Sequence, residues 1–191
     1  MEREGTPILV IFRVLVLIAW IGLALASLYL AIGVPLGSLN ARLVNPWLGV
    51  SSWDSGLVIG VSRESLTPEQ WRTFCSSVGI WSLGGTLSAL VAVEQVRRIV
   101  SEPSRQSPFT AKNARRVRNA GLAVFVSAFA KAGRDFAFAR FISNNVRITG
   151  AQVGYVSDLG VSTIFLGIMI LAVAEVMRHG VKLQEDQDLT V

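Results

Sequence analysis

Long apolar runs separated by short polar segments dominate this chain. The first run, residues 8–34, carries one charge, Arg13, and at ~1.5 Å per residue it exceeds the ~30 Å hydrocarbon layer of a bilayer. It predicts a membrane-spanning helix. Ala24-Leu25-Ala26 mimics the cleavage site of a secretory leader, but the flank Glu2-Arg3-Glu4 is not basic and the run is too long. Residues 35–67 then mix apolar and polar positions, with Pro35, Gly37, Pro46, Gly49, Gly56 and Gly60 as turn punctuation. They read as an outer loop bearing Trp47 and Trp53, with residues 55–62 as a short strand.

A second helix is predicted over residues 68–98. Thr67 is its N-cap, Pro68 its first position, Gln70 closes a capping box, and Leu66 is placed to staple onto Trp71. It ends where Glu94 meets Arg97 and Arg98. Pro103 ends that helix, and Thr110 is the expected cap of a third, residues 111–141. Lys131, Arg134, Asp135 and Arg140 interrupt the third helix, and unpaired charges deep in a bilayer are expensive. Long basic side chains reach outward, and Lys131 and Asp135, four apart, face each other. The segment is therefore still read as spanning. A fourth span covers residues 153–179, with Asp158 near its start and Glu175 near its end, followed by a polar tail, residues 178–191.

Composition supports the membrane reading. Of 191 residues 51% are hydrophobic and 16% charged, against roughly a quarter charged in soluble domains. The fold class expected is all-α, a single polytopic domain with four transmembrane helices. The formal charge of +5 is concentrated: seven of the eighteen Lys and Arg lie within residues 97–118. Such a dense basic loop marks the cytoplasmic side and, with four spans, puts both termini there. The same segment has three readings: a topology signal, a surface for anionic lipid, or a docking site for a protein. No reading motif for nucleic acid accompanies it, so direct nucleic-acid binding is not expected.

Candidate chemistry is sparse. One cysteine, Cys75, excludes an internal disulfide, and one histidine, His179, excludes a histidine cluster. A catalytic histidine needs an orienting partner and a nucleophile, and His179 beside Arg178 has the setting of a solvated interface residue. No enzyme activity, cofactor or metal is expected. The intramembrane charges are the sharper signal, because each needs a partner or water. Arg13, Glu94 and Glu175 share one level, which predicts that Arg13 pairs with one of the two carboxylates; Asp158 shares the other level with Lys131 and Arg134. The two groups are either static clasps or the ends of an ion pathway, and a mostly aliphatic midplane favours clasps. Gly22 and Ala26, and Gly85 and Ala89, have the small-xxx-small spacing of helix packing, and Gly84-Gly85, which lacks the pattern of a phosphate loop, lets helices approach closely.

Two motifs carry a resemblance. Ser107-Pro108-Phe109-Thr110 is followed by Asn113-Ala114-Arg115-Arg116-Val117-Arg118-Asn119-Ala120-Gly121; near the end, Ala174-Glu175-Val176-Met177-Arg178-His179-Gly180 leads into Leu183-Gln184-Glu185-Asp186-Gln187-Asp188-Leu189-Thr190-Val191. Over roughly residues 8–191 the chain resembles domain-of-unknown-function family 2975, small bacterial inner-membrane proteins with four helices. The likeness implies no enzymatic activity. It implies a genomic association with a small helix-turn-helix regulator of the Cro/C1 type, hence a possible protein partner in the cytosol. Arg115, Arg116 and Arg118, with the acidic tail residues Glu185, Asp186 and Asp188, are the partner surface this suggests. The leading expectation is a regulatory or sensing membrane protein, with a small transporter or channel subunit as the alternative.

Overall fold

Four helices and one small ribbon make up the described part of the computed structural model, residues 7–37, 49–51, 58–60, 66–101, 110–145 and 160–188. Helix α1, Pro7–Leu36, stops one residue after Pro35, where Gly37 takes a φ of 60° and donates its N–H to Val34 O at 3.3 Å. A left-handed residue at this place is the common helix stop, and glycine adopts it without a Cβ clash. Strands β1, Gly49–Ser51, and β2, Val58–Gly60, pair antiparallel in the register Gly49↔Gly60, Val50↔Ile59, Ser51↔Val58. The expected strand at residues 55–62 is thus present in its central part. Trp47 and Trp53 lie outside the described residues.

Helix α2, Pro68–Val100, opens with the predicted capping box. Thr67 N donates to Gln70 Oε1 at 3.0 Å, and Gln70 N donates to Thr67 Oγ1 at 3.3 Å, so two otherwise orphaned donors are satisfied reciprocally. Helix α3, Ala111–Asn145, is capped by Thr110, whose Oγ1 accepts from Asn113 N at 3.2 Å. Helix α4, Val161–Asp188, runs on past the expected end at residue 179, and residues 153–159 of the expected span lie outside the described residues. Gly160 at φ 59° stands outside the right-handed helical region, which sets the start; the polar residues after Met177 are good helix formers and carry the helix on.

The helices run up and down, each antiparallel to the next. Helix α1 is tied to α2 at both ends, by Arg13 Nε to Val100 O at 3.0 Å and by Trp71 Nε1 to Gly37 O at 2.9 Å. Helix α3 is tied to α2 likewise, by Arg116 Nη1 to Arg98 O at 3.2 Å and by Gln70 Nε2 to Asn145 Oδ1 at 3.0 Å. Helix α4 then packs on α3. Two ends of the bundle follow: a basic end, where α2 and α4 finish, and a tryptophan end, where α2 begins on Trp71.

Three helices contain stretches long and apolar enough to cross a membrane: Leu9–Leu36, Pro68–Val100 and Val161–Gln184. The third helix, α3, is too charged to belong with them by composition. Yet it lies along α2 from one end to the other, so it traverses whatever α2 traverses. Its exposed apolar residues also form a stripe: Leu122, Val126, Phe129 and Phe136 are 46–56% exposed and fall within one narrow sector at ~100° per residue. Lys131, Arg134 and Asp135 lie on the other half of the helix and are half-buried. That arrangement puts apolar groups outward and charges into the bundle, as a lipid environment requires.

The tightest core sits at the tryptophan end. Leu30, Trp71, Phe74, Cys75, Val78, Phe141 and Ile142 are buried together, drawn from α1, α2 and α3, with Leu66 packed against them. The Phe74 ring is 5.4 Å from Trp71, 5.1 Å from Phe141 and 6.2 Å from Phe138, in stacked and edge geometries that aromatic pairs prefer.

Candidate functional sites at the basic end and in the cleft

Arginines dominate the basic end, and the structure divides them into paired and open sets. Glu94 is held within its own helix: Arg97 Nε and Nη2 donate to its two oxygens at 2.7 and 2.9 Å, and Arg98 Nε to one of them at 2.6 Å. Glu175 is held in the same way by Arg178, three residues on, with His179 Nδ1 3.4 Å from Oε1. The expected pair between Arg13 and a carboxylate is therefore not formed. Helical partners at i+3 and i+4 already occupy both acids, and Arg13 instead donates to Val100 O at the end of α2. Arg116 donates to Arg98 O in the same last turn. Two arginines from different helices thus satisfy the C-terminal carbonyls of α2, where the helix dipole favours positive charge. Arg97 additionally lies 5.7 Å over the Trp20 ring of α1.

Arg115 and Arg118 are different. Both are exposed, and neither makes a hydrogen bond or ion pair with any described residue. They line a groove of about 330 Å³ between α3 and α4, together with Arg178 and Glu175; its floor is apolar, formed by Ala114, Leu171, Ala174 and Val181. A second open groove of about 440 Å³, between α2 and α3, is lined by Arg98, Lys112, Arg115 and Arg116.

Of the six residues expected as one partner surface, the four with described side chains lie in different places. Arg116 turns to α2, and Arg115 and Arg118 line the α3–α4 groove. Ala111, the first residue of α3, is level with Val181, so α4 runs on about 10 Å past the start of α3 at ~1.5 Å per residue. Asp186 is exposed on this projection. Glu185 and Asp188 belong to the same helical end, and their side chains lie outside the described residues.

In the half of the bundle nearer the tryptophan end, all four helices border a cleft of about 380 Å³. Leu23, Ala26, Tyr29 and Leu30 come from α1, Ser82, Gly85 and Thr86 from α2, Ser127, Ala130, Lys131 and Arg134 from α3, and Thr163 from α4. The expected pairing of Lys131 with Asp135 is replaced. Arg134 Nε and Nη2 both donate to Asp135 Oδ1, at 3.0 and 2.9 Å, because the neighbouring guanidinium offers two aligned donors where an ammonium offers a point charge. Lys131 runs beside Gly160 at the start of α4, where a Cβ on that glycine would stand 3.6 Å from Lys131 Cδ. Asp158 lies outside the described residues.

Small residues build the cleft and the groove. Gly85 meets Ala130 of α3, and a Cβ at Gly167 would come within 3.1–3.2 Å of the Phe125 backbone, so α3 and α4 touch there main chain to side-chain-less position. Gly22, by contrast, is exposed and has nothing within 4 Å of an added Cβ, so its small-residue spacing with Ala26, which lines the cleft, marks no helix contact. Sequence reading missed the cleft; its signal was the run of small and hydroxyl residues on facing positions of α2 and α3, which is equally the signature of packing. Among the described residues no three His, Cys, Asp or Glu gather as a metal site would need.

No curated protein and no solved structure matches the chain. A family model, "Protein of unknown function (DUF2975)", matches residues 63–191, that is α2, α3, α4 and the segments between them; α1 and the β1–β2 ribbon precede the match. With helices long and apolar enough to cross a membrane and a match over about two thirds of its length, this chain is a membrane protein belonging to the DUF2975 family.

Proposed function

We propose that the protein is a non-enzymatic regulatory or sensing component of the bacterial inner membrane, with the basic end and both termini in the cytosol. The orientation follows from charge: the last turn of α2, the first turns of α3 and the segment joining them together hold seven of the eighteen basic residues, and such density stays on the cytoplasmic side. The observation that carries the reading is the end of α4. It continues as helix about two turns beyond the level of Ala111, the start of α3, and its last turns carry Glu185, Asp186 and Asp188, of which Asp186 is exposed among the described residues.

A soluble partner held there is coupled to the bundle, because α4 packs along α3 and α3 along α2. The partner class suggested by the family likeness is a small helix-turn-helix regulator, sequestered by affinity alone. A stimulus would change its release only by favouring one arrangement of the helices. The test is a pull-down of the full-length protein and of a variant lacking residues 183–191 from membranes of cells that express the neighbouring regulator. Equal membrane insertion with loss of the regulator supports docking; full recovery with the truncated tail overturns it.

The four-helix cleft favours a second reading, a small transporter or channel subunit, since charges and hydroxyls border one space inside the bundle. Ion or proton flux in reconstituted vesicles that disappears in Lys131→Ala would promote it over the regulatory reading.

A further inference from the structure

We infer that the groove between α3 and α4 at the basic end is a binding site for one anionic phospholipid, with Arg115 and Arg118 receiving the phosphodiester. This concerns a different surface from the projecting end of α4 and does not depend on a protein partner.

Charge is the first ground. The groove presents three guanidinium groups, Arg115, Arg118 and Arg178, against one carboxylate, Glu175, and that carboxylate is bound by Arg178. Arg115 and Arg118 keep all their donors open among the described residues. They stand three apart on one face of α3 and both line this groove, so one small acceptor there is within reach of two planar forks, which suits a phosphate with two unesterified oxygens.

Shape and depth are the second. The floor, Ala114, Ala174, Leu171 and Val181, is apolar, and Ala114 and Ala174 are 5% and 4% exposed. Small side chains on both helices open the groove where a larger pair would close it. On α3 the exposed stripe continues from Arg115 and Arg118 to Leu122, Val126 and Phe129 without a polar break at ~100° per residue. One face therefore runs from two open cations to an uninterrupted apolar track, matching a headgroup with its acyl chain. A soluble anion would use the first part and leave the second idle. On α4 the apolar residues give way to Arg178 and Lys182 at the same level, which places the groove at the edge of the hydrocarbon layer.

The experiment uses the full-length protein purified in a neutral detergent, with lipids retained after dilution counted by native mass spectrometry. Phosphatidylglycerol should be retained about tenfold or more over phosphatidylcholine of the same chains. The double variant R115Q/R118Q should lose that preference, while R140Q, at the opposite end of α3, should keep it. Equal retention of the two lipids by the wild type, or an unchanged preference in R115Q/R118Q, overturns the site. If the double variant does not purify, the wild type decides: a preference that does not weaken with rising salt overturns it, since exposed charges are screened. Millimolar glycerol 3-phosphate should leave the lipid in place; its displacement would assign the groove to a soluble phosphate and overturn the lipid. None of these results bears on recovery of a regulator with the tail of α4, so the two proposals fail separately.

Discussion

Arg13 shows how local competition decides the fate of a charge in an apolar helix. A carboxylate on another helix was the obvious partner by depth, but Glu94 and Glu175 each have arginines at helical spacing that reach them without any interhelical ordering. What remains for Arg13 is an unsatisfied carbonyl at the end of α2, and it takes Val100 O. The consequence is measurable. Arg13→Gln should lower stability in detergent by about 0.5–1.5 kcal/mol, the worth of one such bond. In a double-mutant cycle Arg13→Gln and Glu94→Gln should add to within about 0.5 kcal/mol; a coupling well above that would mean the two side chains meet. Glycine gives the complementary case. Gly167→Leu must push the α3 backbone at Phe125 aside and should cost about 1–3 kcal/mol or prevent assembly. Gly22→Leu meets nothing and replaces a helix-interior glycine by a better helix former, so it should not lower the midpoint of denaturant unfolding. The same small-residue pattern thus has opposite consequences on α4 and α1, and only the position of the neighbouring helix distinguishes them.

At the scale of the element, starts were more legible than ends. Thr67, Pro68 and Gln70 specify the first turn of α2 by side-chain chemistry confined to four residues, and the structure forms each bond. Thr110 does the same for α3. Helix ends depend on what the chain meets next, which is why α4 overran its expected stop. The site was less legible than the fold for a related reason. Residue type told where charges lie along each helix, but pairing is set by rotation and by rival partners, so Arg13 meets Val100 O and Asp135 meets Arg134 in place of the partners expected from depth and spacing. Capping makes a quantitative test. Thr67→Ala should cost about 1 kcal/mol of helix stability. Gln70→Ala should cost at least as much, because Gln70 also bonds Asn145 and so ties α2 to the end of α3. Hydrogen exchange at the first turn of α2 should accelerate in both variants, and at the last turn of α3 only in Gln70→Ala.

For the whole molecule, connectivity answers a question that composition leaves open. By apolar content α3 fails as a span, since Lys131, Arg134 and Asp135 fall in its middle. But α2 runs from the tryptophan end to the basic end, α4 runs the same way from beside Lys131 to the basic end, and one continuous 35-residue helix returns the chain between them. If α2 and α4 cross a bilayer, α3 must cross it as well, carrying its charges on the half of the helix turned toward the cleft. The charges are tolerated there because Arg134 and Asp135 neutralise each other and the cleft supplies hydroxyls, whereas the outward stripe of Leu122, Val126 and Phe129 meets lipid. This makes the side on which the tail lies a direct consequence of α3. In a Cys75→Ser background, cysteines placed singly at Lys112, Lys182 and Glu69 report it with a membrane-impermeant maleimide on intact cells. Lys112→Cys and Lys182→Cys should both stay unlabelled until the membrane is opened, and Glu69→Cys, in the first turn of α2, should react at once. Labelling of Lys182→Cys with protection of Lys112→Cys would put the two ends of the α3–α4 pair on opposite faces, and would separate in the membrane two helices that share one groove from Ala111 to Val181.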